Sequence, residues 1–253
     1  MKQIVIVTLL TLILTGCGCS NQENPQNINP SLFTSAPSSI EADSCVLTLV
    51  TDSLTILYPQ FSKIDLVCDT MPSVEDKSVI LSAAAAFTGQ CLSQFNHFNI
   101  AGNHVSGGTL FKGYPCKRNT GTFIAYDGTW EFHYCDNGQS LSRADENNGC
   151  GFCQEMLIYN SIEVKTTRPM SNKNIFRALC EKDKKLCLIE SLNAITFRQF
   201  IDALLAINVT HAIYTDMGPG WNYMWYRTTP DAYPTIPHSQ KCEYCTNWIT
   251  FYK

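Results

Sequence analysis

The stretch that decides the fold runs from Thr196 to Asp216, TFRQFIDALLAINVTHAIYTD. Thr196 and Gln199 have the spacing of a capping box, in which each side chain bonds to the other residue's backbone N–H at a helix start. Apolar residues then recur on one helical face until the helix ends near Asn208. The β-branched and apolar run Val209–Thr215 predicts a strand that places Asp216 at its end.

Hairpins are predicted on both sides of this unit. In the clearest one, Thr120–Tyr134, Asp127-Gly128 separates two alternating runs, a strong signal of a tight turn between antiparallel strands. Ser44–Tyr58 has the alternation of a strand or hairpin. The remaining predicted elements are a hairpin at Asn160-Ser161, a hairpin that joins Ile175–Leu179 to Leu186–Glu190, and a closing strand at Trp248–Tyr252.

A second helix is predicted over Met71–Gly89. Pro72-Ser73 and two acidic residues precede an Ala-rich apolar run that stops at a glycine. Hairpins interleaved with such helices predict an α+β fold, with a mixed or antiparallel sheet and two or more packed amphipathic helices. Within the polar segment that follows, Gly107 and Gly108 predict that the backbone approaches some other group closely.

The first residues predict export and lipid attachment. Lys2 and the 12-residue apolar run Ile4–Thr15 are typical of a signal peptide, because the run is too short to span a bilayer. Leu14-Thr15-Gly16-Cys17 then resembles the lipobox of bacterial lipoproteins, with Cys17 as the lipidated residue. An ordinary secretory signal with an incidental Cys17 is the alternative. We therefore predict a signal peptide at 1–16, a flexible polar tether at 17–40 and one domain at 41–253, lipid-anchored to a membrane of the bacterial envelope on the periplasmic side or at the cell surface.

The composition is that of an ordinary globular domain. The chain is 45% hydrophobic and 16% charged. Its formal charge is −4, and removal of residues 1–16 deletes only the positive charge of Lys2, which gives −5. No basic stripe is present in the sequence, so nucleic acid is not an expected partner.

Thirteen cysteines suit an exported chain, in which disulfides can form. Cys180 and Cys187 are spaced to face each other across a hairpin. The motifs Cys150-Gly-Phe-Cys153 and Cys242-Glu-Tyr-Cys245 each have CxxC spacing, and two such motifs can hold zinc with four thiolates. They lie about 90 residues apart, so structural disulfides or buried thiols are favoured over zinc and over redox catalysis, and we assign no metal site.

The order of elements across Gln154–Gly220 is distinctive. A hairpin beginning QEMLIYNS is followed by a strand with Arg177-Ala178, a charged turn, LCLIE, a Thr-capped helix and a strand ending Asp-x-Gly-x-Gly. This order resembles the phosphodiester glycosidase family, which includes the mammalian enzyme that removes N-acetylglucosamine from mannose-6-phosphate tags. The resemblance extends over roughly residues 95–253. The family's strand-end motif is Asp-Gly-Gly-Gly-Ser, whereas this chain has Asp-Met-Gly-Pro-Gly followed by Trp221.

The resemblance implies a catalytic site around Asp216 and Arg177, which match the family's strand-end aspartate and strand arginine. His104 is the candidate acid or base, in a loop similar to the family's Asn-Gly-Gly loop. A sugar phosphodiester also calls for cations, backbone N–H donors and flat aromatic side chains. The predicted substrate-binding residues are Asn103, Gly218, Gly220, Trp221, Tyr223 and Arg227. Glu155 and Glu190 are the candidates for a second carboxylate.

Each candidate also has a purely structural interpretation. Asp216 before Gly-Pro-Gly can cap a turn without any substrate. Arg177 can form an ion pair within its sheet, and His104 can form a hydrogen bond within its loop. The aromatic residues from Trp221 to Trp225 can pack into a core at alternate positions of a strand.

Two main hypotheses follow. The first is an envelope lipoprotein that hydrolyses a glycosyl phosphodiester or a related sugar conjugate without a cofactor. The second is a non-catalytic glycan-binding lipoprotein on the same fold, which the bulky Trp221 in place of a hydroxyl residue favours. A cysteine-stapled structural envelope protein is a third. The expected partners are a carbohydrate or sugar-phosphate ligand and, through the lipid anchor, the membrane.

Overall fold

The computed structural model describes residues 43–88, 100–114, 120–217, 223–237 and 245–253. The predicted signal peptide, the tether, Cys17, Gly218, Gly220 and Trp221 lie outside the described residues. Residues 41–253 form one compact unit. Within the described ranges, neither helix has the length and apolar character needed to cross a membrane.

The described chain contains 17 strands and two helices. The first elements are β1 (Val46–Val50), β2 (Leu54–Pro59), β3 (Lys63–Cys68), β4 (Val79–Ala84), β5 (His104–Ser106), β6 (Thr109–Phe111), β7 (Thr120–Tyr126), β8 (Thr129–Tyr134), α1 (Leu141–Glu146) and β9 (Cys150–Tyr159). The later elements are β10 (Ile162–Glu163), β11 (Lys173–Asn174), β12 (Arg177–Lys182), β13 (Lys185–Ser191), β14 (Ile195–Thr196), α2 (Phe197–Ala206), β15 (Val209–Tyr214), β16 (Met224–Tyr226) and β17 (Asn247–Tyr252).

Two sheets carry most of these strands. The large sheet has 11 strands, with the order β1-β2-β13-β12-β15-β9-β5-β6 along its main path and β7, β8 and β10 attached beside it. The small sheet has four strands in the order β16-β4-β17-β3. A two-stranded ladder joins β11 to β14. Every pairing between these described strands is antiparallel, as expected for a fold built from hairpins.

The central strands of the large sheet are buried on both faces. On one face, Leu179 and Ile213 belong to the core shared with Ile249 of the small sheet. On the other face, Ala178 belongs to the core shared with Phe200 of α2. Side chains alternate between the two faces of a strand, so neighbouring residues of β12 serve different cores. The small sheet, the large sheet and α2 therefore form three layers.

The predicted hairpins are confirmed. Strand pairs β1–β2, β7–β8, β9–β10 and β12–β13 all form antiparallel ladders with short connections. In the β7–β8 turn, Asp127 and Gly128 have φ angles of 48° and 70°, the left-handed pair that a tight two-residue hairpin requires. The closing strand is also confirmed as β17.

The fold class is corrected. The prediction of an α+β fold with two or more packed amphipathic helices is wrong, because the described chain is mostly β-sheet. The segment predicted as a helix, Met71–Gly89, contains β4 instead, and all six residues of β4 are buried between β16 and β17. A short apolar run fits a buried strand as well as a helix. The supposed helix start is a turn in which the Asp76 carboxylate accepts hydrogen bonds from the backbone N (2.9 Å) and Oγ (2.7 Å) of Ser78.

Only one of the two described helices was predicted from the sequence. Helix α2 begins at the predicted capping box, in which Thr196 Oγ1 accepts from Gln199 N at 3.2 Å and Gln199 Oε1 accepts from Thr196 N at 2.9 Å. Helix α1 has six residues and lies in a polar segment for which no helix was predicted. Its buried residues, Leu141 and Ala144, cover β5 and β7 through a small third core.

We predict that Gly108→Ala destabilises the fold more than Gly107→Ala. Both glycines lie in the β5–β6 turn with positive φ angles, 70° at Gly108 and 55° at Gly107. Alanine at either position therefore costs about 1–2 kcal/mol of backbone strain. A Cβ atom on Gly108 would also lie 2.9 Å from the Cα of Asn148, whereas one on Gly107 would meet nothing within 4 Å. We expect Gly108→Ala to lose a further ~1–3 kcal/mol in the free energy of unfolding, measured in urea. Equal losses in the two variants would contradict this close approach.

Candidate functional site

Strand β15 ends where the two sheets meet. The N–H of Thr215 donates to the carbonyl of Arg177 in the large sheet at 3.1 Å. The N–H of Asp216 donates to the carbonyl of Ala85, just after β4 of the small sheet, at 2.8 Å. The chain thus passes from one sheet to the other between two consecutive residues. We call this junction, formed by Thr215, Asp216 and the segment Ala85–Phe87, the seam.

Arg177 lies next to the seam and is fully buried. It is directly opposite Glu190 in the β12–β13 ladder, and its Nε and Nη2 donate to Glu190 Oε2 at 2.8 and 2.5 Å. A buried guanidinium requires such a partner, because an unpaired charge in the interior costs several kcal/mol. The ion pair that the sequence left open for Arg177 is therefore present, and Glu190 serves as its counter-ion.

We predict that Arg177→Met destabilises the fold strongly. The variant leaves the Glu190 carboxylate without its main counter-charge inside the core, and losing one partner of a buried pair costs about 3–5 kcal/mol. The double variant Arg177→Met/Glu190→Leu removes both charges and should recover most of that loss. Urea denaturation of the three proteins measures the difference. An Arg177→Met variant as stable as the wild type would contradict this role. Any loss of activity in an Arg177 variant has to be compared with its loss of stability.

The loop that carries Asn103 reaches the seam from another direction. The N–H of Ala101 donates to the carbonyl of Phe87 at 2.8 Å. Phe87 follows Ala85 by two residues, so the carbonyls that bind Ala101 and Asp216 are no more than about 7 Å apart. Asn103 Oδ1 accepts from the N–H of Gly113 at 2.9 Å, which closes the loop. Asn103 and Asp216 therefore belong to one neighbourhood, although they are far apart in sequence.

His104 is held inside the same loop. Its side chain is buried, with Nδ1 3.0 Å from the carbonyl oxygen of Gly102 and its ring stacked on Phe111 at a centroid distance of 5.2 Å. Burial lowers the pKa of His104 below its usual value, and the hydrogen bond to Gly102 offsets part of that effect. A neutral ring then donates from Nδ1 to the carbonyl. These contacts give His104 the loop-stabilising role that the sequence left open as an alternative.

Arg227 lies at the far end of the small sheet. Its N–H donates to the carbonyl of Ile80 at 2.9 Å, and Ile80 precedes Ala85 by five residues, about 17 Å along a strand. Its guanidinium donates to the carbonyls of Val74 (2.7 Å), Pro230 (3.1 Å) and Asp76 (3.3 Å). Arg227 therefore joins two loops there, and the structure does not bring it to Asp216.

The predicted aromatic residues follow the small sheet. The carbonyl of Tyr223 accepts from the N–H of Ala84 at 2.8 Å, so the half-buried Tyr223 lies beside the seam. Trp225 is fully buried and stacks against the guanidinium of Arg227 at 5.3 Å. The core-packing alternative therefore applies to Trp225, while Tyr223 is only half-buried.

An ion pair that includes Glu155, a candidate second carboxylate, also lies near the seam. Arg168 and Glu155 form an ion pair of 2.8 Å, with 23% and 18% of their side-chain surfaces exposed. The guanidinium of Arg168 lies 4.3 Å from the ring centre of Tyr214, two residues before Asp216. Burial raises the pKa of Tyr214 to about 12, with smaller effects from Arg168, which lowers it, and from Asp216, which raises it. The sequence analysis named Glu155 but did not identify Arg168 as its partner.

The cysteines provide no four-thiolate zinc site from the two CxxC motifs. Cys153 is disulfide-bonded, so its sulfur is not a thiolate ligand. Cys150 is a buried thiol whose pKa burial raises. The prediction that Cys180 and Cys187 face each other is confirmed, because they are opposite partners in the β12–β13 ladder, and both are buried thiols.

A cleft of about 410 Å³ lies away from the seam, at the other end of β7. Polar residues and glycines form most of its lining, with Lys63 as its cation. Ala125 and Tyr126 line the cleft, while Thr120, at the opposite end of the same strand, pairs with Glu155. Five strand residues, about 17 Å, therefore separate the cleft from the Arg168–Glu155 pair.

Comparison with known proteins supports the fold. No family model and no curated protein sequence matches this chain. Among solved structures, the chain is similar to the catalytic domain of zebrafish N-acetylglucosamine-1-phosphodiester alpha-N-acetylglucosaminidase, auto-inhibited by its pro-peptide. The TM-score is 0.55 at 15% identity, over 82% of this chain and 81% of that chain. At this identity the similarity is one of fold, and the described domain therefore has the fold of a phosphodiester glycosidase catalytic domain.

Proposed function

We propose that this protein is an envelope lipoprotein whose domain hydrolyses a glycosyl phosphodiester or a related sugar conjugate at the seam. The observation that supports this most is the position of Asp216. It ends a central strand at the junction of two sheets, in a fold shared with an enzyme named for its action on an N-acetylglucosamine phosphodiester. A carboxylate there, with Asn103 and Arg168 nearby, supplies the groups that such a substrate requires.

The proposed reaction needs one proton acceptor and one anion-binding group. Water adds to the anomeric carbon while the bond from that carbon to the phosphate oxygen breaks. The products are the free sugar and a phosphate monoester. In this proposal Asp216, which retains 8% of its surface exposed, accepts the proton of the attacking water. The departing oxygen belongs to a phosphate monoester, whose second pKa is about 6, so it leaves without the strong acid that an alcohol would need.

We predict that Asp216→Asn lowers kcat about 100- to 10,000-fold, the usual contribution of a positioned acid or base. The assay uses aryl phosphodiesters of N-acetylglucosamine and of other sugars with the full chain. Asp202→Asn is the control, because Asp202 lies on α2 with 61% of its side chain exposed. Equal turnover by the wild type and the Asp216 variant would reject Asp216 as the base.

The rival function is glycan binding without hydrolysis. Both candidates for a second carboxylate are occupied in ion pairs, Glu190 with Arg177 and Glu155 with Arg168. A site whose candidate second carboxylate is held in an ion pair can retain a ligand pocket and lose the reaction that usually needs two. Binding of a sugar phosphate by wild-type protein that turns over none of the substrates would favour this rival.

Attachment to a membrane is the second part of the proposal. It is supported by the sequence Leu14-Thr15-Gly16-Cys17 after an apolar run. We predict that Cys17→Ala moves the protein from the membrane fraction to the soluble fraction and removes the mass of the acyl chains from the intact protein. Cys19→Ala, two residues away, is the control. Unchanged fractionation and mass of the Cys17 variant would contradict lipidation.

A further inference from the structure

Arg168 lies on the segment between β10 and β11, and two aromatic rings from other elements fix its side chain. Its guanidinium lies 4.3 Å from the ring centre of Tyr214 and 5.2 Å from that of Phe197. Stacking on two rings restricts the guanidinium plane and offsets part of the cost of removing it from water. Tyr214 is the last residue of β15, two residues before Asp216, so the cation lies beside the strand that leads to Asp216.

The hydrogen bonds of Arg168 leave one side of the fork available. Nε and Nη2 both donate to Glu155 Oε2, at 3.1 and 2.8 Å. The other oxygen of Glu155 accepts from Thr166 Oγ1, which in turn accepts from the backbone N–H of Arg168 at 3.0 Å. Within the described ranges, Nη1 of Arg168 has no hydrogen-bond partner. Its two N–H groups can therefore bond to a ligand while the rest of the side chain stays fixed.

Arg177 and Arg227 are less suited to this role. Arg177 has no exposed surface and is neutralised by Glu190. Arg227 is held by three backbone carbonyls at the far end of the small sheet. Arg168 has 23% of its side chain exposed and lies beside the strand that delivers Asp216.

We infer that Arg168 binds the phosphate group of the substrate through Nη1 and so positions the anomeric carbon over Asp216. Glu155 is a positioning residue, because it holds the guanidinium in place. The inference rests on the proposed function and specifies its ligand as a sugar that carries a phosphate.

The test compares two ligands by calorimetry on the full chain. N-acetylglucosamine 1-phosphate carries the phosphate, whereas N-acetylglucosamine does not. We expect the wild type to bind the sugar phosphate at least about 10-fold more tightly, as one charge-assisted hydrogen bond provides. Arg168→Gln should remove that difference, while Arg168→Lys, which keeps the charge and loses the fork, should reduce it about 3- to 10-fold.

Arg198→Gln is the matched control. Arg198 also forms a two-point pair with a glutamate, at 2.8 and 2.9 Å from Glu163, but it lies on α2 and is 37% exposed. It should keep the full preference for the sugar phosphate. An unchanged preference in both Arg168 variants, or no preference in the wild type, would overturn the inference. A wild type that prefers the sugar phosphate through Arg168 and yet hydrolyses no phosphodiester would reject the proposed reaction alone.

Discussion

The buried ion pair between Arg177 and Glu190 is the constraint on which the described structure depends. Two opposite charges at the same level of the β12–β13 ladder are tolerated in the interior only while they remain bonded to each other. Their pairing fixes the register of the hairpin, since a slip by one residue would bury each charge alone. The carbonyl of Arg177 also accepts the N–H of Thr215, so the same residue sets where β15 leaves the large sheet.

The candidate site forms where the chain leaves the large sheet after β15. Because the chain bonds to the large sheet at Thr215 and to the small sheet at Asp216, the aspartate lies at a junction that neither sheet forms alone. Strand β4 makes the junction possible, since it pairs with β16 and β17 on its two edges and leads directly into Ala85. The Asn103 loop and the Arg168–Glu155 pair then approach from separate parts of the chain. A polar site assembled from distant segments of a rigid scaffold is a common arrangement for ligand binding.

The sequence predicted the local parts of this fold and missed the distant ones. The Asp127-Gly128 turn and the Thr196 capping box are short-range signals, so both were predicted correctly. Strand β4 was predicted as a helix because a run of six mostly apolar residues is too short to distinguish a helical from a strand periodicity. It forms a strand because it pairs with β17. Arg168 has no local signal, because its role depends on Tyr214, which lies 46 residues further along the chain.

A crystal structure of the full chain with N-acetylglucosamine 1-phosphate bound tests the central claim, that the seam is a sugar-phosphate site, most directly. The phosphate should lie within hydrogen-bond distance of Arg168, and the anomeric carbon should lie about 3–3.5 Å from a water molecule bound to Asp216. A ligand bound in the cleft beside Lys63, with the seam empty, would contradict the claim.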